Sequence, residues 1–166
     1  MSDSTVNINV RARGALSALA SSFEPLRAAL DGYARPVVLL LARVWMAKVF
    51  FDSGWARVQN WGSQEFLFSS IHPVPFLPAS LAAPLTTGAE LVLPLLLTLG
   101  LLSRLSATGL LIMTMTIQWI VGATPQGIEN GIANPVHYLW MLILALLIVV
   151  GPGKLSLDRV FFRGGR

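Results

Sequence analysis

The sequence predicts an all-α membrane protein, a four-transmembrane-helix bundle preceded by an amphipathic interfacial helix. Three observations predict it. The apolar share is 54% and the charged share only 12%, about half the charge of an ordinary soluble domain. Mean hydropathy is +0.67, and the apolar residues gather into four blocks. Each block approaches the roughly 20 residues of helix that a hydrocarbon layer of about 30 Å requires. Finally, the basic residues stand beside those blocks, where flanking charge orients a membrane protein.

The elements follow in order. Residues 1–35 form a tail that begins polar and carries one helical pattern. Leu16, Leu19, Phe23, Leu26, Leu30 and Tyr33 recur at alternating spacings of three and four, which makes a single apolar stripe. Arg27 and Arg35 lie off it, as expected of a helix lying on a membrane surface. The tail lacks the apolar core and small-residue cleavage site of a signal peptide. The spans are expected at about 36–54, 81–102, 105–121 and 135–150, within a bundle over 36–153. Residues 154–166 form a basic tail. The turn between the second and third spans is Ser103-Arg104, so those helices are antiparallel neighbours.

Orientation follows from the flanks. Arg11, Arg13, Arg27, Arg35, Arg104, Lys154, Arg159, Arg163 and Arg166 fall on one side of the four spans, and only Arg57 on the other. Basic loops stay inside. Both termini are therefore expected in the cytoplasm, with the 55–80 and 122–134 connections outside. Trp55, Trp61, Phe66, Phe68 and Phe76 punctuate the first of these, as headgroup-level aromatics do. A short surface helix fits 59–71. His72, Pro73, Val74, Pro75, Phe76, Leu77 and Pro78 cannot continue it, because three prolines remove donors and block the turn.

The candidate site comes from charge inside the spans. An ionisable residue at mid-membrane costs about 2.5–3.5 kcal/mol on insertion scales and calls for a reason. The first span holds Arg43 and Lys48, with Asp52 near its outer end. The second holds Glu90, the third Gln118 and the fourth His137. By depth these gather in the outer half and suggest a polar pocket open, if anywhere, to the outside. Arg43 is expected to pair with Glu90, whose carbonyl Pro94 leaves without its helical donor. Lys48 is expected to pair with Asp52, one turn on. A pair that only fixes helix packing is the competing reading. His137 and its neighbour Tyr138 suit an interfacial belt as well as a ligand site.

Several chemistries are excluded or disfavoured. There is no cysteine, which removes disulfide exchange, iron–sulfur clusters and thiolate metal sites. No metal site is expected, since only His72 and His137 offer imidazole, and Met113 and Met115 face different ways. No nucleophile–base set and no phosphate loop is present. Nucleic acid is not an expected partner.

Arg43, then Phe50-Phe51 followed by Gly54 and Arg57, resembles the opening span of the DoxX family, with Arg57 where lysine is usual. Gly88-Ala89-Glu90-Leu91, and then the run from Leu97 to Arg104, resemble that family's second span and basic turn. Gly151-Pro152-Gly153-Lys154-Leu155-Ser156-Leu157-Asp158 resembles its closing motif. Read alone, the closing motif is a helix stop, since Gly151 and Gly153 suit a left-handed cap and Pro152 forbids continuation.

The resemblance implies a small four-helix protein of the bacterial inner membrane, multi-pass in the lipid bilayer. It also implies a subunit or accessory protein of a membrane oxidoreductase-type complex, with no stand-alone catalysis expected. Any redox role runs through a bound quinone or a partner's cofactor. Arg43, Lys48, Asp52, Glu90, Gln118 and His137 are then the pocket candidates. Two alternatives stay open: a non-enzymatic scaffold that recruits a membrane or periplasmic partner for metal or stress handling, and a small transporter. Four helices give few pore-lining positions, so the transporter reading calls for a homo-oligomer.

Overall fold

The computed structural model describes residues 21–74 and 76–162. Among the described residues there is helix and no strand. The chain divides into two compact units, Met1–Val37 and Val38–Arg166.

In the first unit, residues 21–29 are α-helical and pass into a π-type turn at Leu30–Ala34. Glu24 and Arg27 lie 4.0 Å apart, and Asp31 and Arg35 3.8 Å apart, one-turn pairs of the kind that support an exposed helix. Phe23, Leu26, Leu30 and Tyr33 are all exposed, so the described part of the apolar stripe is uncovered. Leu16, Leu19 and the polar start of the tail lie outside the described residues.

Among the described residues, four helices of 13 residues or more follow. They are α1 (Arg35–Gln59), α2 (Ala79–Leu99), α3 (Ser103–Met115) and α4 (Val136–Val150). A π-type segment, Thr116–Val121, prolongs α3. Among the described residues, Ala79–Leu99 and Ser103–Val121 are the helices both long and apolar enough to cross a membrane on that basis, and Val136–Val150 is a shorter apolar helix. In α1 the apolar run is broken by Arg43, Lys48 and Asp52.

The boundaries move in two places. The first span was expected to stop at 54, yet α1 runs five residues further, through Trp55 and Arg57. The second was expected to reach 102, yet α2 ends at Leu99. Gly100 adopts φ 70° and donates its N–H to Leu97 O, while Leu101 N bonds Leu96 O. This pair of bonds is a glycine-terminated helix end, and glycine is suited to its left-handed position. The turn is therefore Gly100–Leu102, and Ser103 and Arg104 already belong to α3. The 59–71 stretch is helical in three short pieces, Trp61–Ser63, Gln64–Phe66 and Leu67–Ile71, and the irregular strap begins at His72.

Met46 and Phe50 of α1, Leu97 of α2, Ala107 and Leu110 of α3, and Leu144 and Leu147 of α4 make one core. Phe50 meets Trp140 edge-on at 5.9 Å. A second cluster forms where Phe68 from the connection packs on Ala82 and Ala83 of α2.

Polarity in this bundle is inverted relative to a soluble protein. Arg43, Thr87, Glu90, Ser103, Ser106, Thr114, Gln118 and His137 are buried, while Leu41, Leu85, Val92, Leu95, Leu105, Ile112, Leu142, Leu146 and Val149 are exposed. An apolar surface of that extent is a liability in water and the natural face to lipid.

Candidate functional site

The structure sorts the sequence-predicted residues into four separate places. At the Gln59 end of α1, Arg57 turns inward and places Nε 2.9 Å from Glu90 Oε2. Glu90 is 1% exposed. Gly54 makes the approach possible: a Cβ there would fall 2.9 Å from Glu90 Cβ and 3.2 Å from its backbone carbon. Arg57 also lies over the Phe68 ring, 5.0 Å from its centroid, a cation–π contact. The expected Arg43–Glu90 pair is therefore not formed; Arg57 takes Glu90, and Arg43 goes elsewhere.

Beside this pair lies a cavity of about 150 Å³. It is lined by Arg57, Phe68, His72, Thr86, Met113 and Thr116, with Val74, Ile112, Ile117 and Val121 completing the apolar wall. Arg57 Nη1 and His72 Nδ1 are buried there without hydrogen-bond partners among the described residues. Burial pushes the His72 imidazole below its ordinary value, and the charge of Arg57 pushes it further the same way. His72 is therefore neutral near pH 7 and free to accept or donate according to its tautomer. Its position is set by the π-type turn Leu67–Ile71, through a 2.7 Å bond from His72 N to Leu67 O.

Arg43 is fully buried and sits at the opposite end of the bundle from Arg57, beside the Gly100 turn. Its Nη2 donates to Leu155 O, while Nε and Nη1 have no partner among the described residues. A Cβ on Gly100 would collide with Arg43 Nη1 and with Ser156. Asp158 completes the knot. Its Oδ1 accepts from Leu102 N at 2.7 Å and its Oδ2 from Ser103 N at 2.9 Å, and its own N–H reaches Gly100 O at 2.8 Å. The closing motif is thus more than a helix stop. It folds back over the turn between α2 and α3, caps α3 with a carboxylate and receives the buried arginine of α1.

The remaining candidates stay apart from both places. Gln118 Oε1 accepts from Asn134 N at 3.0 Å and lies 2.7 Å from His137 Nδ1. Because Oε1 is an acceptor, His137 carries its proton on Nδ1. His137 also sits 5.0 Å from the Trp140 ring. Lys48 and Asp52 pair with each other as expected, but their side chains are 70% and 60% exposed and face outward. Among the described residues no group of three or more His, Cys, Asp or Glu side chains is placed to hold a metal ion.

Sequence reasoning missed Arg57 and His72 as site residues. Arg57 had been assigned to a connection. Its spacing was a usable signal, because it stands three residues after Gly54 and so close to the face of α1 that glycine presses onto α2.

An inverted helical bundle with apolar surface and charge-paired interior defines a small helical membrane protein. The DoxX family model matches residues 38–123. The chain belongs to the DoxX family. It is 35% identical over 137 residues to an uncharacterized protein of Haemophilus influenzae, covering 78% of this chain and 86% of that one. It is 27% identical over 135 residues to the inner membrane protein YphA of Escherichia coli K12, covering 77% and 93%. No solved structure matches.

Proposed function

We propose that this chain is a membrane-embedded subunit or accessory protein of an oxidoreductase-type assembly, and that it holds a small uncharged amphipathic molecule, quinone-like in character, in the cavity between Arg57 and His72. The observation that carries the reading is the Arg57–Glu90 pair buried beside that cavity. Glu90 cancels the charge of Arg57, so the pocket offers a hydrogen-bond donor without a net positive field. That favours a carbonyl or hydroxyl oxygen over a carboxylate or phosphate. A cavity of about 150 Å³ matches one that accepts a single aromatic ring, and the walls are apolar apart from Arg57, His72, Thr86 and Thr116. The basic flanks support a topology in which this end of the bundle faces outside and both termini face inside.

The test is mass spectrometry of small molecules that co-purify with the detergent-solubilised chain, comparing wild type with Glu90→Gln and His72→Ala. A ring-bearing amphipathic molecule retained by wild type and depleted in both variants supports the reading. Identical small-molecule content in all three overturns it.

One observation favours a scaffold as the second reading. Phe76 is fully exposed at φ 65°, a left-handed conformation that an aromatic residue rarely adopts, and Trp61 and Phe66 are exposed near it in sequence. Under that reading, replacing residues 73–78 abolishes function while Glu90→Gln leaves it intact.

A further inference from the structure

The Lys48–Asp52 pair is charged, exposed and far from either end of its helix. By the rise of an α-helix, Lys48 lies about 16 Å and Asp52 about 10 Å short of the Gln59 end of α1. Their side chains are 70% and 60% exposed, and Val44 and Trp55 on the same helical face are exposed with them. A long lysine near a helix end escapes to the headgroups. Among the described residues Lys48 pairs with Asp52, which itself stands about two helical turns short of the Gln59 end. Lipid is a poor neighbour for such a pair, and intramembrane charges almost always face protein or water.

The surface around the pair is also not smooth. A groove of about 210 Å³ opens between α1 and α2, lined by Val44, Ala47, Lys48, Phe51, Pro94 and Thr98, with Asp52 at its edge. Ala47 is small, and Pro94 removes a backbone donor within α2, so the two helices leave room for an inserted side chain. The Phe51 and Trp55 rings stack in parallel at 6.4 Å on this face, which presents a rigid apolar edge beside the charges.

We propose that this face of α1 docks a second copy of the chain. The argument for a copy over another partner is charge complementarity. The face carries one positive and one negative group a single helical turn apart. Under a twofold axis parallel to α1, Lys48 comes within reach of the partner's Asp52, and the reverse contact forms at the same time. Two intrachain pairs become a closed network of four charges with no net charge, shielded from lipid by both helices. The groove takes an apolar side chain from the facing helix.

The chain has no cysteine, so single introduced thiols report directly. Val44→Cys in native membranes is expected to give a covalent dimer on mild oxidation, and Leu142→Cys, exposed on α4, is expected to stay monomeric. Adding Lys48→Asp should lower the Val44→Cys yield at least fivefold, and adding Asp52→Lys as well should restore it. Native mass spectrometry of the unsubstituted chain from lipid nanodiscs should show twice the chain mass. A monomer there overturns the proposal, with the groove then filled by lipid. So does equal cross-linking at Leu142, or an unchanged yield in the Lys48→Leu, Asp52→Leu double variant. Neither result bears on small-molecule retention, so the two proposals fail separately.

Discussion

Glu90 is buried in an apolar helix, and Arg57 is the group that meets its charge. Removing one member of a buried pair leaves the other uncompensated, at about 3–5 kcal/mol. Arg57→Met is therefore expected to lower the thermal unfolding temperature in detergent sharply, and Arg57→Lys to retain most of it. A Met variant as stable as wild type would show the pair to be energetically idle. At Gly54 even a methyl group meets Glu90 Cβ; Gly54→Leu forces α1 off α2 and is expected to cost about 1–3 kcal/mol, read in the same melt. His72 gives a pH dependence. Its folded value lies below the ordinary 6.5, first through burial and then through Arg57. The unfolded chain therefore takes up this proton first as pH falls. Stability is complete above about 6.5 and declines as pH falls through that value toward the lower folded one. His72→Gln should remove this part of the slope, and an unchanged slope would assign it to other groups.

The elements were legible where hydropathy alone decides and illegible where direction decides. The apolar runs marked α2, α3 and α4 to within a few residues, and the proline-rich strap was recognisable because Pro73, Pro75 and Pro78 crowd together, remove donors and block the turn. The end of α1 was misread because Trp55 and Arg57 resemble interface residues, although they continue the helix. Arg43 was paired by depth with Glu90. Side chains on a helix lean toward its N-terminus, and in α1 that lean carries Arg43 to Leu155, away from Glu90. The role of Asp158 was out of reach, since nothing local marks a carboxylate as the cap of a helix that begins 55 residues earlier. Asp158→Ala leaves the Leu102 and Ser103 amides without it and is expected to cost about 1 kcal/mol. Faster proteolysis of the carboxyl-terminal segment would report the same loss, and an unaltered melt and digestion pattern would show that water replaces the cap.

For the whole molecule, the inverted distribution of polar and apolar residues identifies the bilayer as solvent, and the asymmetry of basic residues predicts which end faces which compartment. Single cysteines test the orientation. Glu129→Cys, in the short connection after α3, should react with an impermeant maleimide in intact cells, and Lys154→Cys only after permeabilisation. The reverse pattern would invert the topology and move the Arg57 cavity to the cytoplasmic side. The knot at the other end has a consequence for how the protein is made. Arg43 enters with the first long helix, yet its acceptor, the Leu155 carbonyl, stands 112 residues later in the chain. Throughout synthesis the guanidinium waits for its acceptor inside a growing bundle. The acceptor is translated long after the residue it serves, so a chain arrested before residue 155 is expected to hold Arg43 in its bundle without this acceptor.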